Sequence, residues 1–264
     1  MIPPTPPIKE LQAPKDWRVV EFVSDLHLRR EEPETVAAFR RYLHESAADA
    51  IFLLGDIFEV WVGDDSMDEP GSFEAECGGM LAQAARQRPM FFMHGNRDFL
   101  VGAHFEKRSG VRLLGDPTVL ALGGKRWLLS HGDALCLDDT EYQKFRAVAR
   151  DPQWQAQFLS LPLAVRRAQG QSARQQSEAR KHSAQAFYAD VDSAAALQWL
   201  RSAGSQVLIH GHTHRPADHD MRGSGGEKAK RVVLSDWDLD ATPPRAQILR
   251  LTRGTLERID FVPK

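Results

Sequence analysis

Short apolar runs that end abruptly in polar residues or glycine recur five times along this chain. The runs and the residues that follow them are 19–23 before SDLH, 51–54 before GD, 90–93 before HGNRD, 127–129 before SHGD and 207–209 before HGHTH. Apolar runs of this length, bounded by turn residues, are typical of buried β-strands. Helical composition in residues 34–45 and 73–87 separates the early runs and favours an α/β fold. Because ligands bind at the carboxyl ends of strands in such folds, the polar segments form a candidate site.

The order of these patterns along the chain predicts one core with an insertion. Residues 138–201 carry no strand-like run, and their helical composition is interrupted at Asp151-Pro152 and Leu161-Pro162. We interpret this segment as a helical cap inserted into a core built from residues 18–137 and 202–264. Residues 1–17 are proline-rich, lack the apolar core of a signal peptide and are predicted to be a disordered lead-in. Residues 216–230 are predicted to form a loop.

The composition excludes several classes of protein. With 34 basic and 36 acidic residues the net charge is −2, so no nucleic-acid partner is expected. Cys77 and Cys136 lie far apart and show no metal-binding spacing, which argues against a disulfide framework and fits a reducing compartment. No run reaches the roughly 20 apolar residues that a membrane span needs. We expect a cytoplasmic protein that acts as a monomer.

The polar segments contain the residue types that bind divalent metals. Seven candidate ligands follow the five runs: Asp25, His27, Asp56, Asn96, His131, His212 and His214. Asp25 and His27 are two positions apart, so an extended backbone would point both side chains to one face. Oxygen and imidazole ligands without thiolate suit Mn²⁺, Fe²⁺ or Zn²⁺. Seven ligands are too many for one tetrahedral ion, but with Asp56 as a bridge they supply four bonds to each of two ions. Such a pair activates water for displacement at phosphorus.

Each of these motifs is weak on its own. An isolated Asp-x-His or Gly-Asp is more often a turn than a metal site, and Gly-His-Thr-His alone is as well explained by two surface histidines. The joint occurrence at five strand ends favours the metal site. A scaffold that has lost its metals and only binds partners remains an alternative, although such a protein would be expected to lose ligands.

The motif set D-x-H, G-D, G-N, H and G-H-x-H resembles that of the calcineurin-like metallophosphoesterases. This resemblance implies a β-sandwich core flanked by helices. The longer strings FVSDLHL, LLGDIFEVWVGDD, HGNRDFLVG, HGDALCLDD and LIHGHTHRPA are similar to a narrower group, the diphosphatases that cleave UDP-2,3-diacylglucosamine in lipid A synthesis. The resemblance implies a Mn²⁺-dependent hydrolase that produces UMP and 2,3-diacylglucosamine 1-phosphate (lipid X). The open alternative is a soluble nucleotide pyrophosphatase or phosphodiesterase on the same scaffold.

The resemblance also implies roles for individual residues. One metal would be held by Asp25, His27, Asp56 and His214, and the other by Asp56, Asn96, His131 and His212. The residues implied in catalysis are Asn96, Arg97, His131 and His212. The residues implied in substrate binding are Asn96, Arg97, Asp139, Arg174, Ser177, Lys181 and His212. Lys181 is a substitute, because the position where the group carries lysine is Ala184 here.

Arg97 supports cleavage of a pyrophosphate on chemical grounds. Protein phosphatases of the superfamily carry histidine after Gly-Asn, where it can protonate a leaving alkoxide, whereas arginine has donors but no transferable proton. A phosphate leaving group, with a second pKa of about 6, is stable without a proton. Arginine would instead neutralise the charge of two phosphates. The alternative is a surface salt bridge between Arg97 and Asp98.

The cap offers two further patterns, each with an ordinary explanation. Residues 166–181 carry five basic residues against one acid, which predicts either a solvated helix face or a surface for an anionic substrate and membrane. The apolar residues of the cap form either its own core or a groove for acyl chains: they are Trp154, Phe158, Leu159, Leu161, Leu163 and Val165. Together with an acylated substrate, the basic run predicts peripheral attachment to an anionic membrane surface, the cytoplasmic face of the inner membrane.

Overall fold

Two β-sheets pack face to face and carry α-helices on their outer surfaces. The structure is a computed structural model that describes residues 2–181, 189–223 and 225–262, without the side chains of residues 177–181. The strands are β1 (Lys9–Gln12), β2 (Val19–Val23), β3 (Ala50–Leu54), β4 (Met90–Met93), β5 (Arg112–Leu114), β6 (Thr118–Leu122), β7 (Lys125–Leu129), β8 (Val207–His210), β9 (Ala217–Arg222), β10 (Lys228–Val233), β11 (Gln247–Thr252) and β12 (Thr255–Asp260). The helices are α1 (Pro33–Glu45), α2 (Phe73–Ala85), α3 (Ala103–Ser109), α4 (Thr140–Ala149), α5 (Pro152–Leu159), α6 (Leu163–Lys181) and α7 (Ser193–Ala203).

The apolar runs of the sequence are strands that are buried on both faces. In β3, Phe52 and Leu54 point into the core between the sheets, whereas Ile51 and Leu53 pack with residues of the helices outside. Because successive side chains alternate between the faces, a strand covered on both sides needs an unbroken apolar run. The α/β sandwich flanked by helices is therefore confirmed.

Strand direction brings the predicted polar segments to one edge of the sandwich. The first sheet has the order β12-β11-β2-β3-β4-β5, and the second has the order β1-β6-β7-β8-β10-β9. β2, β3 and β4 run parallel to one another, as do β7 and β8. Their carboxyl ends carry the five polar segments, so each sheet contributes ligands from neighbouring loops.

Two predictions about irregular segments are wrong. Residues 9–12, assigned to a disordered lead-in, form β1 and pair in parallel with β6 at the edge of the second sheet. Residues 217–222 and 228–233, most of which fall in the predicted loop 216–230, form the antiparallel strands β9 and β10. β1 and β9 are polar and largely exposed, so neither shows the apolar run that identifies a central strand.

Within the predicted cap, the described residues 140–181 form the helices α4, α5 and α6, and α4 and α5 begin at aspartate caps. The Asp151 side chain accepts hydrogen bonds from Gln153 N and Trp154 N at 2.9 Å, and Pro152 occupies the first turn of α5. α7 also begins within the predicted cap, yet its Trp199 and Leu200 pack against strands of the second sheet. None of the described helices is both long enough and apolar enough to cross a membrane.

Candidate dinuclear metal centre

The first group of predicted ligands meets where β2 and β8 end. His27 Nε2 lies 3.2 Å from His214 Nε2, and the same nitrogen of His214 lies 3.4 Å from Asp25 Oδ1. These three residues offer donor atoms that all lie within 4.8 Å of one another. The backbone N–H of His212 donates to both Asp25 carboxylate oxygens, at 3.1 and 2.9 Å, and so ties the two loops together.

The second group lies beside the first. Asn96 Oδ1 is 3.2 Å from His131 Nε2 and 2.8 Å from His212 Nδ1. Asp56 stands between the groups, because its Oδ1 lies 3.8 Å from His131 Nε2 and its Oδ2 lies 3.9 Å from His27 Nε2. The structure therefore brings all seven predicted residues together, with Asp56 in a position to bridge.

The backbone at these residues is unusual. Six non-glycine residues of the described chain have positive φ, and five of them are predicted ligands: Asp25, His27, Asp56, His212 and His214. Asp25 and His27 have φ values of 54° and 47°, so the expectation that an extended backbone aligns them is wrong. They converge because both are left-handed. Strained conformations of this kind persist at functional sites, where the surrounding structure enforces them.

The chemistry of the donor set fits cations. The ring N–H at Nδ1 of His131 donates to the Leu54 carbonyl at 2.9 Å, so Nε2 carries the lone pair and faces Asn96 Oδ1. Glu59 Oε2 lies 2.9 Å from His27 Nδ1, and a carboxylate at that distance favours the tautomer that keeps its proton at Nδ1 and leaves the Nε2 lone pair directed towards His214. The His131 lone pair and the Asn96 oxygen that it faces repel each other unless a proton or a metal ion lies between them.

Electrostatics also favours positive charge at this site. Burial raises the pKa of Asp25, but hydrogen bonding and charge from His214 outweigh it and hold the pKa below its ordinary value. Burial lowers the pKa of His131, yet the carboxylates of Asp56, Asp25 and Asp133 raise it to about 9. Asp25 therefore stays ionised at neutral pH, and the cluster stabilises a proton or a metal cation at His131 Nε2.

Two glycines make room for the carboxylates. A Cβ atom at Gly95 would collide with Asp56 Oδ1, and a Cβ atom at Gly211 would collide with Asp25 Oδ2. Glycine at these positions allows the backbone after β4 and β8 to approach the ligands closely.

Glu59 is a residue of the site that the sequence analysis missed. It is buried in the loop after β3, with Oε2 against His27 and Oε1 2.7 Å from Arg174 Nε. Burial raises its pKa, but His27, Arg97 and Arg174 outweigh this effect and lower the pKa to about 2. One signal was available, because Glu59 is the only charged residue in the apolar segment 57–62.

Of the other predicted residues, the structure describes the side chains of Arg97, Asp139 and Arg174. Arg97 Nη1 is 4.0 Å from Glu59 Oε1, and the salt bridge weighed for Asp98 is not formed. Asp98 is buried and accepts backbone N–H bonds from Ile57 and Gly95, each at 2.7 Å. Asp139 Oδ1 accepts from Tyr142 N at 3.0 Å and caps α4. The side chains of Ser177 and Lys181 lie outside the described residues.

The three arginines of the α6 basic run whose side chains the structure describes are paired with acids of the core. Arg166 is buried, donates to Val62 O at 2.6 Å and forms a two-pronged pair with Asp65. Arg167 Nη1 lies 2.6 Å from Glu69 Oε2. With the Arg174–Glu59 contact, these pairs fasten α6 to the core through all three described arginines of the run.

α4 is also fastened to loops of the centre. The buried carboxylate of Asp133 accepts from Tyr142 Oη and from Arg146 Nε, the latter at 2.8 Å. Arg150 Nη2 donates to the Gly95 carbonyl at 2.9 Å. These bonds join the first cap helix to the loops that carry His131 and Asn96, so the helix and the metal centre are held in a fixed relation.

The chain belongs to the calcineurin-like phosphoesterases: the family model with that description matches residues 20–216, a span that includes all seven donor residues. A UDP-2,3-diacylglucosamine hydrolase of Stenotrophomonas maltophilia (strain R551-3) is 43% identical over 247 residues, which cover 90% of this chain and 98% of that relative. The protein of the same name from Chromohalobacter salexigens is 47% identical over 219 residues, 82% of this chain and 87% of the relative. That from Xanthomonas campestris pv. campestris (strain ATCC 33913) is 47% identical over 226 residues, 82% and 90% of the two chains.

Proposed function

We propose that this protein hydrolyses the pyrophosphate of UDP-2,3-diacylglucosamine to UMP and lipid X, a reaction of lipid A biosynthesis. The observation that carries the proposal is the convergence of seven donor residues in a chain whose relatives are hydrolases of this substrate. Because the match to the first relative covers 90% of the chain, it extends through the cap as well as the core.

The donor set is assigned to two divalent cations, with Mn²⁺ as the proposed ion. Asp25, His27, Asp56 and His214 would hold one ion; Asp56, Asn96, His131 and His212 would hold the other. When bound, such a pair activates a water molecule and neutralises phosphate charge during an in-line displacement. The contacts of His131 with Leu54 and of His27 with Glu59 orient the imidazoles for this task.

Arg97 is assigned the role of neutralising the negative charge of the pyrophosphate. Its backbone N–H donates to Asp56 Oδ1 at 2.8 Å, which places the residue directly beside the bridging ligand. A guanidinium neutralises phosphate oxygens through paired donors, and a departing phosphate needs no proton from it. Asn96 and His212 share this edge and are assigned to the substrate as well as to the metal. Asp139, Arg174, Ser177 and Lys181 are assigned to the rest of the substrate.

The structure of α5 favours an acyl-chain groove over a closed cap core. No residue of α5 is fully buried. Trp154 and Phe158 stack with ring centroids 5.2 Å apart, and Leu159 is 41% exposed. Apolar side chains that stay partly open to solvent in this way provide a surface for the acyl chains of the substrate.

An assay of UMP release tests the proposed reaction. The purified protein is expected to release UMP from UDP-2,3-diacylglucosamine in a manner stimulated by Mn²⁺. Asp56→Ala should abolish release, because it removes the bridging carboxylate, whereas Asp68→Ala, the same change at a surface ion pair, should not. Undiminished release by Asp56→Ala would contradict the proposal. A much higher kcat/KM for UDP-sugars without acyl chains would favour the soluble nucleotide pyrophosphatase instead.

We further propose that the protein attaches peripherally to the cytoplasmic face of the inner membrane. Phe145 and Val148 lie three residues apart on α4 and are 44% and 52% exposed, an apolar pair suited to the lipid interface. Since Arg166, Arg167 and Arg174 are paired with acids, these apolar residues rather than those three arginines support the attachment.

Vesicle binding tests this location. Phosphatidylglycerol-containing vesicles at low salt are expected to co-sediment the protein, and the double variant Phe145→Ser/Val148→Ser should bind several-fold more weakly. Ile2→Ser removes an exposed apolar residue elsewhere and serves as the control. Equal binding by the double variant and the wild type would contradict attachment through α4.

A further inference from the structure

Glu59 is held against the metal centre by the backbone. Residues 56–59 run beside residues 27–28: His27 N donates to Asp56 O at 3.0 Å, Leu28 N to Ile57 O at 2.9 Å, and Glu59 N to Leu28 O at 3.2 Å. This short ladder fixes the Glu59 carboxylate next to the imidazole of His27. The loop that carries Asp56, the proposed bridging ligand, therefore also carries Glu59, the partner of His27.

The two carboxylate oxygens of Glu59 face different parts of the molecule. Oε2 lies 2.9 Å from His27 Nδ1, on the core. Oε1 lies 2.7 Å from Arg174 Nε, on the cap helix α6, and 4.0 Å from Arg97 Nη1. One buried carboxylate thus joins a metal ligand to both arginines that are assigned to the substrate.

We propose that Glu59 is a positioning residue that couples the cap to the metal centre. It holds the proton of His27 at Nδ1, so that Nε2 stays available to a cation. It also holds Arg97 and Arg174 side by side, where two cations would otherwise repel each other. The part of this inference that concerns the substrate rests on the proposed function, whereas the part that concerns His27 does not.

A purely structural role for Glu59 makes a different prediction. If the carboxylate only neutralises buried charge, its replacement lowers the stability of the fold. In the folded protein the proton position on His27, the affinity for Mn²⁺ and the affinity for substrate would then stay unchanged. The two roles are therefore separable by measurements on folded protein at a temperature well below unfolding.

Glu59→Gln is the decisive variant, because glutamine keeps the size of the side chain but has only one acceptor oxygen. It can serve His27 or Arg174, but not both. Mn²⁺ binding, measured by equilibrium dialysis, is expected to weaken by about 10- to 100-fold for one of two ions. In ¹⁵N-histidine NMR spectra of the metal-free protein, the His27 population protonated at Nδ1 alone should fall. The KM for UDP-2,3-diacylglucosamine should rise more than the KM for bis(p-nitrophenyl) phosphate, which has a single phosphate.

Two further variants complete the design. Glu69→Gln makes the same chemical change in a pair with Arg167 of α6 and should leave all three measurements unchanged. Arg174→Gln retains the contact between Glu59 and His27, so it should raise the KM for the diphosphate without weakening Mn²⁺ binding. This variant also tests the coupling if Glu59→Gln does not fold.

The inference is overturned if folded Glu59→Gln binds Mn²⁺ as tightly as the wild type and keeps its His27 resonances. It is equally overturned if Arg174→Gln leaves the KM for the diphosphate unchanged while UMP is released. Absence of UMP release by the wild type would instead defeat the proposed function, and the Mn²⁺ and NMR measurements would still decide the role of Glu59.

Discussion

At the scale of single residues, the site is built from conformations that most residues avoid. Five predicted ligands have positive φ, a conformation that costs about 1–3 kcal/mol at each non-glycine residue. The backbone bonds of Asp25 N to Gly55 O and of His27 N to Asp56 O, both 3.0 Å, help to enforce it. The backbone therefore positions these ligands, and small neighbours such as Gly95 are part of that arrangement.

Gly95→Ala is predicted to damage the metal centre without unfolding the protein. The backbone of Gly95 does not have positive φ, but the added Cβ would collide with Asp56 Oδ1 and must displace that carboxylate. Affinity for Mn²⁺, measured by equilibrium dialysis, should fall at least about 10-fold. Gly79→Ala provides the matched control, since nothing lies within 4 Å of its Cβ; it should leave affinity unchanged and stabilise α2 by about 0.5–1 kcal/mol. Equal affinities for the two variants would refute this account of Gly95.

The identities of the ligands were predictable from sequence, and their geometry was not. Asp56, Asn96 and His131 follow apolar runs, and parallel strands carry such residues to a common edge. The left-handed backbone of Asp25 and His27 could not be predicted from the residue types, because neither residue is glycine. Glu59 was missed because its role depends on the pairing of residues 56–59 with 27–28, a contact that forms only in the folded chain.

At the scale of elements, sequence patterns identified central strands better than edge strands. β3 and β4 are buried on both faces and appear as apolar runs. β1 and β9 lie at opposite edges of the second sheet, are polar and largely exposed, and were assigned to irregular segments. The cap helices followed from composition and from the prolines at 152 and 162. The contacts between α6 and the core could not be predicted in this way, because ion pairs between distant segments leave no pattern in the local sequence.

The attachment of α6 is predicted to depend on Arg166 more than on Arg167. Arg166 is 2% exposed and contacts Asp65 and the Val62 carbonyl through its planar guanidinium, a geometry that lysine cannot reproduce. Arg166→Lys should lower the free energy of unfolding by about 1–3 kcal/mol. Arg167→Lys changes a partly exposed pair and should cost less than about 1 kcal/mol. Urea denaturation followed by circular dichroism measures both values, and a larger loss for Arg167→Lys would contradict the prediction.

At the scale of the whole molecule, the sandwich places charged ligands from both sheets in one buried site. Asp25 and Asp56 are buried and offer negative charge to the same small volume, together with His27, His131 and His214. Two neighbouring carboxylates without a cation repel each other, and burial strengthens that repulsion. The ligands come from segments between residues 25 and 214, so a cation bound there links most of the chain.

Metal binding is therefore predicted to stabilise the entire fold. A ligand that binds only the native state adds about 2.7 kcal/mol at a free concentration of 100 times its Kd. For a chain of this size, that gain corresponds to a rise in Tm of roughly 5–10 °C. Thermal unfolding of the chelator-treated protein should shift upward by this amount when Mn²⁺ is added. In Asp56→Ala the shift should be much smaller, because the bridge between the two donor groups is gone, whereas in Asp68→Ala it should match the wild type. If Mn²⁺ leaves the Tm of the wild type unchanged, the seven converging residues do not form a metal centre.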